Sequence, residues 1–116
     1  MATTAEELVK AAKAEITEIS VPQAKQLAGS DVVFVDVREP PEWQAGTIGG
    51  ALCIPRGVLE WRAAVDEPLK DKTTPVVVYC KSGGRSALAA QTLQQLGFSD
   101  VKSLAGGYEA WISTTA

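Results

Sequence analysis

The stretch Tyr79-Cys80-Lys81-Ser82-Gly83-Gly84-Arg85-Ser86-Ala87 sets one thiol between an apolar run and a glycine loop. Gly83 and Gly84 permit positive φ and a close backbone approach, so the chain can turn within a few residues. The N–H groups of Lys81, Ser82, Gly83, Gly84, Arg85 and Ser86 are then predicted to point inward as a nest for negative charge. A helix starting near Arg85 or Ser86 adds its positive dipole end, and Lys81 and Arg85 add full charges. Such surroundings favour the thiolate, the nucleophilic form of cysteine. No base is then needed, which suits a chain without histidine. That absence excludes Ser-His and Cys-His catalytic pairs. The plainer reading is a buried cysteine that ends a strand, beside a solvated Lys81. Arg85 fits it poorly, because a cation in the first helical turn opposes the dipole unless it binds an anion.

The elements that must position this loop are legible along the 116 residues, a length that suits one domain and one core. Residues 4 to 14 read as a helix and Ile16 to Ile19 as a short strand. Ser20 caps the next helix with Gln23 three residues on and Pro22 in the first turn, and Gly29 ends it. Val32 to Val37 and Pro75 to Cys80 are apolar, β-branched runs of the kind covered on both faces. Between them lie a loop with a short helix, a brief strand over Ala51 to Ile54, and a helix over Gly57 to Ala64. Ser86 to Leu96 is helical, with Ala89, Leu93 and Leu96 on one face and Gly97 at its end. Val101 to Leu104 is the last strand, and Gly106 and Gly107 turn it into a final helix. Trp43 and Trp111 are expected core aromatics. Buried strands alternating with helices imply an α/β domain with a mostly parallel sheet and right-handed crossovers. Ligands bind such sheets beyond the carboxyl ends of the strands. Cys80 lies at one such end, and Asp36 and Arg38 lie at another.

Composition narrows the function classes. A net charge of −3 gives no footprint for nucleic acid or an anionic membrane surface. No apolar run approaches the roughly 20 residues of a bilayer span, and the first 14 residues read as no secretion signal. Two cysteines, Cys53 and Cys80, are too few for a disulfide framework, so reduced thiols and a cytoplasmic setting are expected. They are also too few for a zinc site in a chain without histidine.

Three segments together, residues 36–57 from Asp36 to Gly57, Val76 to Ala87, and Leu104 to Trp111, resemble the single-domain rhodanese family of sulfurtransferases over about residues 16–113. The resemblance implies a five-stranded parallel sheet flanked by helices. It implies that Cys80 attacks the outer sulfur of thiosulfate or a similar donor, becomes a persulfide, and passes the sulfur to cyanide or another thiophile. The amides of residues 81–86 would steady the thiolate and persulfide. Lys81 and Arg85 would draw in the donor's anionic group. Asp36 and Arg38 match the family's Asp-x-Arg segment and would support the site from the neighbouring strand. Read from their types alone, Asp36 is equally a loop cap, and Arg38 a surface ion-pair partner of Glu39 or Glu42. Arg56, Glu60 and Trp61 would line the entrance opposite the cysteine. The chain departs from the family's Gly-His-Ile-Pro-Gly-Ala run, having Gly46-Thr47-Ile48-Gly49-Gly50-Ala51. Cys53, where the family often has asparagine, reads as a strand residue; a resolving disulfide with Cys80 would need Cα atoms within about 7 Å. Neither metal nor organic cofactor is expected. The implied partners are a small anionic sulfur donor and a thiophilic acceptor, which a protein thiol or persulfide could also supply.

Two other functions compete. A cysteine phosphatase or arsenate reductase also sets a thiol in an amide-lined loop closed by an arginine, but its signature has five residues between them and this chain has four. A persulfide carrier with little activity on thiosulfate needs the same nest as the enzyme.

Overall fold

The computed structural model describes residues 2–114. The elements run α1 (Ala5–Glu15), β1 (Thr17–Ile19), α2 (Val21–Leu27), β2 (Val33–Asp36), α3 (Pro40–Trp43) and β3 (Leu52–Cys53). A 3₁₀ turn (Arg56–Val58) then leads into α4 (Leu59–Val65), and a second (Glu67–Leu69) precedes β4 (Val76–Tyr79). The chain closes through α5 (Gly84–Gln95), β5 (Val101–Leu104) and α6 (Gly107–Ser113). The strands form one five-stranded sheet in the order β1-β5-β4-β2-β3, and every pairing is parallel. No helix among the described residues is long and apolar enough to cross a membrane.

Local chemistry sets the helix starts. The Ser20 hydroxyl accepts from the Gln23 N–H at 3.3 Å, and the Gln23 side chain accepts from the Ser20 N–H at 2.8 Å. This reciprocal cap satisfies two donors that a helix otherwise leaves unpaired. Thr4 and Glu7 repeat it at α1. The helix expected over Gly57 to Ala64 divides into the 3₁₀ turn and α4. The strand expected from Pro75 is hydrogen-bonded as β4 only from Val76, since proline has no N–H to donate. Pro75 still joins the edge of the ladder through its carbonyl, which accepts from the Val33 N–H at 2.9 Å.

The central strands bury both faces, and their period of two divides the core. Val76, Val78 and Cys80 face one cluster with Val35, Leu59, Ala63 and the α5 residues Ala89, Ala90 and Leu93. Val77 and Tyr79 face the other, with Val21, Ala24, Phe34, Ile48 and Leu104. This alternation turns Cys80 toward α5. Trp43 is only half-buried, rather than a core residue. Trp111 is half-buried as well, its ring meeting Phe34 edge-on at 6.1 Å between centroids.

Candidate active site

Cys80 leaves β4 on the side that faces α5, and its sulfur lies under the first turn of that helix. The Gly83 N–H donates to Sγ at 3.1 Å and the Ser86 N–H at 3.4 Å. The thiol itself donates to Ser86 Oγ at 3.6 Å. Behind that hydroxyl stands Ser103 of β5, its Oγ 2.9 Å away. Both serines are fully buried. Gly83 closes the turn with φ +117°, a conformation that side chains disfavour.

Of the six amides expected to face the sulfur, two bond to it. α5 begins at Gly84, two residues earlier than the apolar pattern indicates. Gly84 and Arg85 therefore supply first-turn N–H groups without intrahelical acceptors. Lys81 and Ser82 are exposed, and among the described residues Lys81 Nζ has no ion-pair partner.

The loop's carbonyls are held from outside. Cys80 C=O accepts from the Tyr108 N–H at 2.8 Å, and Lys81 C=O from the Glu109 N–H at 3.1 Å. The first turn of α6 thus draws these two carbonyls away from the sulfur, so the inner wall of the loop is left to N–H groups. Gly107 makes the approach possible. A Cβ there would stand 2.5 Å from the Cys80 oxygen and 2.6 Å from the Lys81 oxygen.

Asp36 and Arg38 form a buried pair beside the site, and the surface pairing of Arg38 with Glu39 or Glu42 is corrected. Arg38 donates through Nε and Nη2 to the Asp36 carboxylate, at 2.8 Å for the shortest bond, and through its own N–H at 2.9 Å. The loop-cap role of Asp36 is therefore present within the ion pair. Arg38 Nη2 also reaches Gly46 C=O at 2.7 Å. Its guanidinium stacks 4.4 Å from the Tyr108 ring centroid, so β2, the following loop and α6 are tied at one point. Tyr79 Oη accepts from the Ile48 N–H at 3.0 Å. With Gly46 and Ile48 both bonded, the loop that lacks the family's histidine and proline is pinned by two side chains instead. Burial pushes the Tyr79 phenol far above its usual range, so it stays a neutral hydrogen-bonding group. Asp36→Asn should cost about 3 kcal/mol or more, because it leaves the Arg38 charge buried without a counter-ion. Denaturant midpoints at neutral pH test this, and an unchanged midpoint overturns it.

Arg85 is bound in cis. Its Nη1 and Nη2 donate to the two Glu42 oxygens at 2.8 and 3.1 Å. Glu42 Oε1 also accepts from the Glu39 N–H at 2.9 Å, which seats the carboxylate at the start of α3. The hydrogen bonds from Arg85 hold the Glu42 carboxyl down to about 2. A depressed carboxyl keeps its pair above its unfolded-state value and loses it as pH falls through 2, so the contact is intact near neutrality.

Arg56 and Glu60 form an ion pair at the 3₁₀ turn. Arg56 donates to Glu60 at 3.2 Å and to Thr92 Oγ1 at 3.0 Å. Thr92 is eight residues along α5 from Gly84, about 12 Å at the helical rise. The pair therefore braces the 3₁₀ turn against the flank of α5. Trp61 projects into solvent at 71% exposure. Cys53 lies on β3, with β2 between it and β4. Two strand spacings are about 10 Å, beyond the reach of a disulfide to Cys80 without backbone movement. Burial pushes the Cys53 thiol up. Among the described residues no group of three or more carboxylate or thiol side chains could hold a metal ion.

Fold and loop together define a parallel α/β domain with a cysteine nested at a helix start, and comparison with known proteins assigns its family. A rhodanese-like domain model matches residues 20–114, and the chain belongs to that family. It is 40% identical over 96 residues to the thiosulfate sulfurtransferase GlpE of Pseudomonas paraeruginosa, covering 82% of this chain and 83% of that protein. The human single-domain sulfurtransferase TSTD1 superposes with a TM-score of 0.76 at 31% identity, over 85% of this chain and 97% of that one. A Rhodopseudomonas palustris protein of unknown function, described as a possible tyrosine phosphatase, superposes with a TM-score of 0.88 at 32% identity, over 97% of this chain and 92% of that one. Other curated relatives are longer, and the chain spans 21% and 59% of the length of two of them.

Proposed function

We propose that the chain moves sulfane sulfur from thiosulfate or a similar donor to cyanide or a thiol acceptor, through a persulfide on Cys80. The observation that carries this is the sulfur under the first turn of α5, accepting the N–H groups of Gly83 and Ser86. Amides fixed around a sulfur stabilise negative charge on it and need no rearrangement during reaction. The Cys80 thiolate attacks the outer sulfur of thiosulfate; a new S–S bond forms, the donor's S–S bond breaks, and its electron pair leaves on sulfite. Cyanide then takes the terminal sulfur as thiocyanate and returns the thiolate. The first-turn amides of Gly84 and Arg85 would receive the added sulfur, and Lys81 and Arg85 would draw in the anionic donor.

Intact-protein mass tests the cycle. Thiosulfate should add one sulfur mass, cyanide should remove it, and Cys80→Ala should show neither change. No gain with thiosulfate, but loading from a protein persulfide, would make the chain a carrier. Arg85→Ala should lower kcat/KM for thiosulfate by about 1–3 kcal/mol, the scale of a lost charged hydrogen bond; steady-state assays measure it, and an unchanged value would leave binding to the backbone nest alone. Likeness to the R. palustris protein, a possible tyrosine phosphatase, raises a phosphatase reading, but four residues between Cys80 and Arg85 enclose a ring that suits sulfur better than a tetrahedral phosphate. Hydrolysis of an aryl phosphate, lost in Cys80→Ala, would reverse that judgement.

A further inference from the structure

We infer that Glu42 is a specificity residue: its carboxylate occupies the anion position on Arg85, so an anionic donor reaches Cys80 only by displacing it. This deepens the sulfurtransferase reading and rests on it for the identity of the donor. Arg85 is the cation at the start of α5, and both of its terminal nitrogens are spent on the two oxygens of one carboxylate. That bidentate geometry is also the one a sulfonate or carboxylate donor would use. Glu42 is not a loose surface group that happens to be near. The Glu39 N–H fixes it from its own helix start, so it is preorganised for Arg85.

The groups around Arg85 have the charges such a filter needs. Glu42 and Glu39 both act on Arg85, and so does Cys80. Two carboxylates therefore oppose an incoming anion at Arg85, and Lys81 is the cation of the loop that neither of them pairs. The pair is only part-buried, with side chains 37% and 29% exposed for Arg85 and Glu42. It can open to solvent at modest cost. The result is a filter rather than a block. A donor that carries an anionic group competes with Glu42 for Arg85, whereas an uncharged donor reacts without needing that position.

Iodoacetate and iodoacetamide separate an anionic from an uncharged reagent, because each alkylates the thiolate with loss of iodide and they differ by one negative charge on the group transferred. In Glu42→Gln, alkylation of Cys80 by iodoacetate should rise about three- to tenfold, and thiosulfate loading should rise with it. Iodoacetamide alkylation should stay within about twofold, which also reports an intact nest. The gain should vanish on an Arg85→Ala background, since the released position is Arg85 itself. An unchanged iodoacetate to iodoacetamide ratio in Glu42→Gln overturns the inference. A gain that persists without Arg85 also overturns it, because simple removal of a negative charge would then suffice. If neither protein is loaded by thiosulfate, the donor assignment fails, while the iodoacetate comparison still decides the role of Glu42.

Discussion

Cys80→Ser should yield a folded chain that transfers no sulfur. The exchange alters one buried atom and lengthens no side chain, so packing under α5 is retained. Gly83 and Ser86 still donate into the same space. What disappears is the thiol proposed as nucleophile. A thiol is a few per cent ionised at neutral pH even without help, whereas a serine hydroxyl needs an adjacent base, and the chain has no histidine to supply one. Thiocyanate release should fall to background and the thiosulfate mass gain should vanish, while the melting temperature shifts by only a few degrees, about 1 kcal/mol. Full turnover in this variant would sink the persulfide mechanism.

Gly107→Ala should damage fold and site together. The residue has φ +61°, where an L side chain costs roughly 1–2 kcal/mol. The added Cβ also falls 2.5 Å from the Cys80 oxygen and 2.7 Å from the Lys81 carbonyl carbon. These are backbone atoms and cannot swing aside as a side chain does. Either α6 withdraws or the loop rotates, and both break the bonds from Tyr108 and Glu109. Strain and lost contacts together should cost about 3–5 kcal/mol, a large share of a small domain's stability. Denaturant unfolding measures that cost. Thiosulfate loading in the cold, where the variant is most folded, should still be depressed at least tenfold. A variant with a native midpoint and native loading would show that Gly107 does not shape the nest.

Much of this arrangement is written locally. Val32 to Val37 and Pro75 to Cys80 announce buried parallel strands by apolar, β-branched runs, and both emerge as central strands. The thiol at a strand end, the two glycines and the arginine follow one another within six residues, so their geometry is a local matter. What the sequence does not show comes from partners distant along it. Arg85 meets a carboxylate 43 positions away, so in the absence of donor its cation is paired within the chain. Ser86 meets Ser103 across 17 positions, and no motif marks a lone serine in a strand. Its place on β5, between Lys102 and the buried Leu104, was the available signal. Arg56 and Glu60 are expected near the entrance by resemblance, and the bond from Arg56 to Thr92, 36 positions on, is not legible in the sequence. The short α3, whose cap seats Glu42, is readable as a helix, but not the direction in which its carboxylate points.

The two hydrogen bonds from α6 to the carbonyls of Cys80 and Lys81 also bear on how the protein breathes. Proteins open in cooperative pieces rather than uniformly, and α6 is a seven-residue helix with half-exposed Trp111 and an exposed Ile112. The reactive loop is fastened to this light element as well as to the deeply buried β4. Whenever α6 lifts away, two carbonyls are released to turn toward the sulfur, and the amide wall loses its orientation while the sheet stays intact. The lifetime of the amide-lined loop is therefore expected to follow the docking of α6 rather than the global stability of the domain. Protection of the Gly83, Ser86 and Tyr108 amides against deuterium would rise and fall as one unit, below that of Val77 and Val78.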